Sequence, residues 1–473
     1  MNKRFFLISI SIILIVVFLC TAVFATGIIS INSPENIYNG NLSDLFAIGA
    51  NGVAALGNKD LYAISSNGVE AIGEDTSETG LLFHNGEIKI KSTVIKVGLY
   101  YYYSYLQDSS LSEVRLENPE GLGFTFGYYD SGRGFNPKST CEASYLTLKV
   151  FDECGIAVYD SITGEKVYEL DYTDKDIKLA LRPISASEEG GIKFKNGLYR
   201  GGFEFAVLGG ERISVINVVD LESYVMGVCA AEMDTDWPLE TMKAQAVAAR
   251  TYAQKHIMNT NYYTRCGFDV TGDTYFQAYE GNGKVNENIT LAVKSTANQY
   301  IIYNSSLADT LYCSSNGGAS EDNYNVNGSY SHPYLKGKAD PYDSFVDFMN
   351  PMANWSVNYT GTELGEMLGM SRITRIQTKS SANNNIISIE FISVTGESKT
   401  LYQANCRTAL SLYSMHYTVK STTPGTFTFE GKGYGHHLGM SQYGAYSMAK
   451  YFDKSYKEIL GFYYTGVGLG YGT

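Results

Sequence analysis

The sequence has few charged residues and no excess of basic ones. Of its 473 residues, 36 are Lys or Arg and 49 are Asp or Glu, which gives a formal net charge of −13. This balance excludes the basic footprint of a nucleic-acid-binding domain, so we expect no nucleic-acid partner. An anionic polymer would have to be held by local contacts, because long-range attraction is absent. With 44% hydrophobic residues, the composition is that of a folded globular protein.

Residue patterns that bind metals are also scarce. There is no CxxC pair, and of the six histidines only His436 and His437 are close together in the sequence. Adjacent residues on an extended loop point in opposite directions, so we expect no metal and no cofactor. Six cysteines follow residue 25. Their even number permits disulfides, but we expect scattered buried thiols with at most one bridge, such as Cys141–Cys154.

The first 25 residues have the pattern of a targeting segment. Lys3 and Arg4 precede an uncharged, apolar run at residues 5–25. Ala25, with Val23 two residues before it, fits the small-residue pattern of a signal-peptide cleavage site. The run is also about as long as the roughly 20 residues that span a membrane. A cleaved signal peptide and a retained membrane anchor therefore both stay open, and each predicts an exported protein.

Residues 26–90 contain a short internal repeat. The segment 47–57 recurs sixteen residues later as 63–73, and each copy contains Asn-Gly between apolar positions. Because both residues tolerate positive φ, this pair predicts tight hairpin turns. We interpret the region as a spacer with two small hairpins.

Residues 91–198 alternate apolar and polar side chains, as at 94–100 and 145–150, with Gly and Asp clusters between the runs. This pattern predicts a β-rich accessory region. The aromatic run at 100–103 is typical of a strand with one buried and one wet face, and the alternative is that it stacks on sugar rings.

From residue 199 to 473 the pattern changes to mixed strands and helices, which predicts an α+β protein with a separate C-terminal domain. The elements predicted there are a strand at 213–219, a short helix at 221–228 capped by Asp220, a long helix from a cap at Asp236 to His256, and a helix that starts at Ser441. The long helix is rich in Ala, so we expect other elements to approach it closely and the helix to be central.

Glu232 stands among apolar residues, next to Ala231 and Met233. An apolar environment raises the pKa of a carboxyl group because the ionised form loses hydration. Such a carboxyl can act as a general acid near neutral pH. The alternative is a carboxylate paired with a helix cation.

Two further groups are candidates for ligand binding. Lys243 and Arg250 are seven residues apart and share one helix face, where they either bind a ligand, hold Glu232 in place, or remain solvated. The glycine-rich segment 431–445 leaves backbone N–H groups accessible, which favours a cleft wall with His436 as an orienting hydrogen-bonding group. A buried structural loop is the alternative.

Two long motifs resemble the stage II sporulation protein D family (SpoIID/LytB). The first covers residues 218–253 and includes Ala231-Glu232-Met233, and the second covers 435–445. Weaker similarities lie at 274–279 and 314–318. The resemblance covers about residues 199–473.

The resemblance implies a lytic transglycosylase that cuts the bond between N-acetylmuramic acid and N-acetylglucosamine in peptide-stripped glycan strands. Glu232 falls on the family's catalytic glutamate. One carboxylate suffices because the 6-hydroxyl of the muramic acid replaces water and leaves a 1,6-anhydro end, unlike in two-carboxylate glycosidases. The residues expected to bind substrate are Lys243, Gln245, Arg250, Tyr252, Gln277, Ser314, Ser315, Gly317, His436, Met440, Ser441 and Gln442.

Three alternatives stay open on this resemblance. Asp234 or Asp236 could serve as a second carboxylate for plain hydrolysis. The protein could instead be a non-catalytic wall-binding enhancer of an amidase, so a cell-wall amidase is a candidate partner, besides a membrane contact through an uncleaved N-terminus. Some family members bind zinc, but Thr271, Tyr275 and Phe276 stand at those positions, so no metal is carried over.

Overall fold

The computed structural model describes residues 53–55, 60–65, 68–74, 86–102, 109–171, 178–187, 189–259, 266–328, 332–423 and 425–473. The apolar run at 5–25 lies outside these ranges, and no helix within them is long and apolar enough to cross a membrane. The predicted α+β class is confirmed.

The helices of the described ranges are α1 (Leu221–Glu232), α2 (Leu239–Met258), α3 (Glu287–Ser295), α4 (Asn323–Asn327), α5 (Pro341–Phe345), α6 (Gly361–Leu368), α7 (Asn405–Thr408), α8 (Gln442–Tyr451) and α9 (Tyr456–Tyr463). The strands are β1 (Val53–Ala55), β2 (Asp60–Ser65), β3 (Gly68–Glu74), β4 (Gly86–Ile88), β5 (Val94–Tyr100), β6 (Glu113–Glu117), β7 (Phe124–Tyr129), β8 (Phe135–Cys141), β9 (Tyr145–Phe151), β10 (Gly155–Asp160), β11 (Lys166–Asp171), β12 (Ala180–Pro183), β13 (Gly191–Phe194), β14 (Gly197–Arg200), β15 (Gly202–Leu208), β16 (Arg212–Asp220), β17 (Val270–Thr271), β18 (Gln299–Tyr303), β19 (Ser306–Leu307), β20 (Tyr312–Cys313), β21 (Trp355–Thr360), β22 (Ile373–Ser380), β23 (Ile386–Ser393), β24 (Ser398–Tyr402), β25 (Tyr417–Thr423), β26 (Thr426–Gly431), β27 (Met440–Ser441) and β28 (Gly468–Gly472).

The chain divides into two compact units that alternate along the sequence. Of the described residues, unit I comprises those within Met1–Glu78, Ser314–Ser320 and Gly337–His437, and unit II those within Thr79–Cys313, Glu321–Lys336 and Leu438–Thr473. The domain boundaries predicted at residues 91 and 199 stay predictions.

Unit II is built on a six-stranded sheet, in the order β11-β10-β9-β6-β13-β14, and a seven-stranded sheet, in the order β17-β5-β16-β15-β12-β7-β8. Buried side chains from both sheets form one core, including Leu148 and Ile156 of the first and Phe126 and Phe203 of the second. Side chains alternate between the two faces of a strand, so every second residue of these strands contributes to this core.

Strand β16 is an inner strand of the seven-stranded sheet, and all of its residues between the two ends are buried. Ile213 and Val215 belong to the core shared by the two sheets, whereas Ile216 and Val218 belong to a cluster on the other face. Its last residue, Asp220, is the N-cap of α1, and its side chain accepts a hydrogen bond from the Ser223 N–H at 2.8 Å. The sheet thus fixes where α1 begins.

Helix α2 is largely buried, and its alanines Ala244, Ala246, Ala248, Ala249 and Ala253 are all fully buried. The prediction of a central alanine-rich helix is therefore confirmed. The predicted cap at Asp236 is wrong, because the N-cap is Pro238 and the helix begins at Leu239. Asp236 instead lies in the turn after α1, where its N–H bonds Asp234.

Two smaller sheets of unit II bring distant segments together. One has the order β19-β18-β28-β4, and in the other β20 pairs in parallel with β27. In that pairing Tyr312 lies opposite Met440 and Cys313 opposite Ser441. Ser441 also caps α8 by accepting a hydrogen bond from the Gly444 N–H at 3.1 Å. The helix predicted to start at Ser441 is thereby confirmed.

Within unit I, β21-β26-β25 and β22-β23-β24 are three-stranded sheets with a common core that includes Phe391 and Phe429. Strands β1, β2 and β3 form an antiparallel three-stranded sheet within the predicted spacer, so the described strands have the hairpin pairing predicted for it. The Asn-Gly pair at 51–52 lies outside the described residues. Cys141 carries a free thiol, so the bridge considered between Cys141 and Cys154 is not formed.

Candidate active site

Glu232 is the last residue of α1, four residues beyond the end predicted from the sequence. The helix stops there because Met233 takes an extended conformation, with φ −131° and ψ 160°. The Glu232 side chain is half-buried. A carboxyl group at this end of a helix lies near the negative end of the helix dipole, which disfavours its ionised form.

Neutral groups of unit II surround the carboxyl group. The backbone N–H of Ala278 donates to Glu232 Oε1 at 2.8 Å, and Nε2 of Gln442 lies 3.4 Å from Oε2. The hydroxyl of Tyr312 also acts on the carboxyl group as a hydrogen-bonding group that lowers its pKa. Gln442 starts α8 and Tyr312 lies in β20, so the parallel pairing of β20 with β27 positions both side chains.

A chain of hydrogen bonds holds Tyr312 and the segment around Ala278 in position. The hydroxyl of Tyr224 in α1 donates to Oε1 of Gln277 at 3.2 Å, and Nε2 of Gln277 donates to the Tyr312 hydroxyl at 2.9 Å. The next residue but one, Tyr279, bonds Asn217 of β16 through its hydroxyl at 2.8 Å. The segment that presents the Ala278 N–H is therefore fixed to the central sheet.

Burial raises the pKa of Glu232 above its usual value, and the hydrogen bonds from Ala278, Gln442 and Tyr312 lower it in part. Burial, followed by the charge of Glu232, raises the pKa of Tyr312 well above its usual value, so its hydroxyl stays protonated. No carboxylate of the described residues is among the groups that act on the pKa of Glu232. Asp234 and Asp236 are both exposed. The site therefore offers one carboxyl that retains its proton to higher pH than a solvated glutamate.

The predicted ligand-binding residues of α2 have different environments. The Lys243 ammonium pairs with Glu240 at 2.6 Å, and the lysine side chain is 18% exposed. Arg250 is fully buried and forms two hydrogen bonds with Glu222 of α1, at 2.8 and 2.7 Å. Gln245 is also fully buried, and neither of its side-chain polar atoms has a hydrogen-bond partner among the described residues. Their contact with substrate stays a prediction.

Of the other predicted residues in unit II, Gln277 and Gln442 take part in the network around Glu232. Met440 and Ser441 are fully buried, and both belong to β27. Tyr252 is half-buried, with its ring 4.5 Å from that of His256. Cys229, one turn before Glu232, is fully buried, and burial raises the pKa of its thiol to about 12. That thiol stays protonated, which excludes it as a thiolate nucleophile.

Four predicted residues lie in unit I. The Ser315 hydroxyl donates to Asp343 at 2.9 Å, and Gly317 has a φ of 67°, a conformation that favours glycine. Ser314 and His436 are both half-buried. The first three belong to the glycine-containing segment 314–318, and His436 belongs to the glycine-rich segment 431–445. Their role in substrate binding stays a prediction.

Sequence reasoning missed the contributions of Tyr312, Tyr224 and the Ala278 N–H. A backbone donor has no side-chain signature, and no motif position marked Tyr312. The available signal was indirect: a tyrosine hydroxyl in a partly buried strand needs a hydrogen-bond partner. The groups near the Tyr312 hydroxyl are Gln277, which is 35 residues earlier in the sequence, and Glu232 at the end of α1.

The comparisons with known proteins cover the segment that contains Glu232. Residues 209–303 match the family described as stage II sporulation protein, SpoIID. Over 264 residues the chain is 30% identical to stage II sporulation protein D of Bacillus amyloliquefaciens, and the match covers 53% of this chain and 74% of that protein. The chain belongs to the SpoIID family.

Two more relatives extend the comparison. The chain is 36% identical over 275 residues to an uncharacterised protein of Brachyspira hyodysenteriae, covering 54% of this chain and 68% of the relative. It is 33% identical over 293 residues to the amidase enhancer of Bacillus subtilis, covering 51% of this chain but only 40% of the enhancer. The SpoIID match includes Glu232 and Ala278, whereas Tyr312 and Gln442 lie beyond its end.

Proposed function

We propose that this SpoIID protein is an exported lytic transglycosylase that cuts peptidoglycan glycan strands between N-acetylmuramic acid and N-acetylglucosamine. The observation that supports this most directly is the Glu232 carboxyl, whose pKa burial raises and which neutral donors hold in place. Membership of the SpoIID family supports action on the cell wall.

Glu232 would serve as acid and then as base. Its proton passes to the glycosidic oxygen as the bond from C1 of the muramic acid to that oxygen breaks. The 6-hydroxyl of the same muramic acid then bonds to C1, and the carboxylate takes its proton. No water is consumed, Glu232 ends protonated as it began, and the product carries a 1,6-anhydro ring. The Ala278 N–H and the Gln442 amide stabilise the carboxylate between the two steps.

Product masses test this reaction directly. The full chain is incubated with glycan strands from which the peptides have been removed, and the fragments are weighed. Anhydro-sugar ends are expected, whereas hydrolysis by Asp234 or Asp236 would leave reducing ends that are heavier by one water. Reducing ends as the sole products would refute the transglycosylase reaction.

The pH profile of Tyr312→Phe tests the acid role of Glu232. The Tyr312 hydroxyl lowers the pKa of Glu232, so its removal raises that pKa further. Because the protonated form starts the reaction, we expect the alkaline limb of kcat/KM to move to higher pH. The variant also loses the hydrogen bond from Gln277, at a cost of about 1 kcal/mol of stability.

Tyr145→Phe is the matched control for Tyr312→Phe, because Tyr145 is exposed on β9. Its pH profile should match that of the wild type. An unmoved alkaline limb in Tyr312→Phe, with activity retained, would show that the limb does not report Glu232.

A cell-wall amidase is the partner class we propose, since removal of stem peptides would supply the stripped strands. The name of the Bacillus subtilis relative, amidase enhancer, supports such a link. Export through the N-terminal apolar segment would place the protein at the wall, either anchored or released.

A further inference from the structure

Unit II contains a cavity of about 530 Å³ beside α1 that the proposed reaction does not use. Gly227, Ala230 and Ala231 line it on the helix side. These positions form one stripe, and Glu232 lies about 100° further around the helix from Ala231. The catalytic carboxyl therefore leaves α1 on a different side, and the cavity is a separate place for a ligand.

Lys195, in the turn between β13 and β14, supplies a cation to this cavity. Its ammonium lies 3.7 Å from the centre of the Tyr100 ring. No carboxylate of the described residues forms an ion pair with it, whereas Lys284, the other cation that lines the cavity, pairs with Glu280 at 2.8 Å. Lysine has three donors, so a contact with the ring leaves donors for an anion.

The backbone of Lys195 is in an unfavourable conformation. Its φ is 50°, in the left-handed region, where a non-glycine residue is destabilised by roughly 1–3 kcal/mol relative to glycine. A glycine would relieve this strain at a two-residue turn. This conformation turns the chain between β13 and β14 and leaves the Lys195 side chain in the lining of the cavity.

Aromatic rings line the same cavity. Tyr100, Phe194 and Tyr199 belong to it, and the first two rings meet edge to face at 5.4 Å. Rings that pack in this way present stable apolar surfaces, and the tyrosine hydroxyls add polar groups at their edges. Apolar walls with a few convergent polar groups are the usual composition of a small-molecule site.

We propose that this cavity binds a carboxylated sugar, namely a muramic acid residue whose lactyl carboxylate is not amidated. The aromatic rings contact the sugar and the Lys195 ammonium pairs with the carboxylate. Two lysines and one glutamate give the lining a net positive charge in a chain whose net charge is −13, so the site selects an anionic sugar locally. This inference rests on the proposed function for the identity of the glycan, and it gives the accessory region predicted at 91–198 a role in binding it.

Binding of three small sugars to the full chain tests the site, and none of them contains the bond that the enzyme cuts. N-acetylmuramic acid is expected to bind more tightly than N-acetylglucosamine, which lacks the lactyl carboxylate, and than its own neutral methylamide. Calorimetric titration or ligand-observed NMR measures the three affinities. Equal affinity for the acid and its methylamide would overturn the proposal, as would a failure of the acid to bind.

Lys195→Gly is the decisive variant, because glycine relieves the backbone strain while the cation is lost. We expect it to fold with at least wild-type stability and to bind N-acetylmuramic acid about tenfold more weakly, the loss expected for one charge-assisted contact at a partly exposed site. Lys193→Gln is the control: Lys193 lies in the same hairpin, is exposed, and pairs with Glu117 at 3.5 Å. Unchanged affinity in Lys195→Gly would overturn the proposal.

The outcomes for this cavity and for the active site are distinguishable. If the wild type binds N-acetylmuramic acid more tightly than Lys195→Gly does but releases no anhydro-sugars from glycan strands, the active-site proposal fails and the cavity stands. If anhydro-sugars are released but Lys195→Gly binds the sugar as the wild type does, the cavity proposal fails alone.

Discussion

Replacing Glu232 with glutamine is expected to reduce the release of anhydro-sugars by about 10³-fold, within the range typical of a lost general acid and base. The amide oxygen can still accept the hydrogen bond from the Ala278 N–H, so the fold should be retained. Product analysis of peptide-stripped strands measures the loss. Asp234→Asn is the matched control, because Asp234 is exposed two residues further along the chain, and it should retain activity.

The same variant gives a second measurement that does not depend on activity. The pKa of Glu232 is raised in the folded protein, so the stability associated with its protonated form is fully present below the unfolded pKa. That stability is lost as pH rises through the folded pKa. The stability of Glu232→Gln relative to the wild type should therefore increase with pH across this window. A pH-independent difference would contradict the raised pKa, and wild-type release of anhydro-sugars by Glu232→Gln would refute the catalytic role.

Replacing Arg250 with methionine should produce the largest loss of stability, about 3 kcal/mol, at the lower end of the range for a broken buried ion pair. The guanidinium is fully buried, bonds Glu222 twice, and donates to the carbonyls of Val293 at 3.2 Å and Gln299 at 3.4 Å. Methionine fills much of the volume but leaves those carbonyls without this donor. We take the lower end because Glu222 is 33% exposed and can be partly hydrated after the change.

Arg115→Met is the control for Arg250→Met. Arg115 also pairs with a glutamate, Glu113, at 2.7 Å, but the arginine side chain is 79% exposed. Its replacement should cost less than about 1 kcal/mol, as for most surface ion pairs. Urea unfolding followed by circular dichroism compares the two variants. Equal effects would show that burial of Arg250 does not determine its contribution.

The prediction for Arg250 also shows what sequence periodicity can and cannot supply. The spacing of Lys243 and Arg250 correctly placed them on one helical face, because that depends only on the helical repeat. It did not distinguish an arginine with no exposure from a lysine with 18% exposure, since burial depends on which elements pack against each turn. Packing of this kind is decided by tertiary structure.

Elements that depend only on neighbouring residues could be predicted from the sequence. Strand β5 has the predicted bounds, and Asp220 caps α1 as expected, because alternation and capping act over a few residues. Glu232 was selected as a candidate from its apolar neighbours together with the family motif. Its environment was not predicted, because Tyr312 and Gln442 reach it through the parallel pairing of β20 with β27, which no local pattern encodes.

The pairing of β28 has a consequence for how the protein is made. This strand lies between β18 and β4 and runs parallel to β4, so residues near 470 complete a sheet that begins at Gly86. The ribosome must therefore synthesise nearly four hundred residues after β4 before that strand can gain its neighbour. Until then β18 and β4 each keep an edge that β28 will later cover, and an uncovered strand edge can pair with another chain and aggregate.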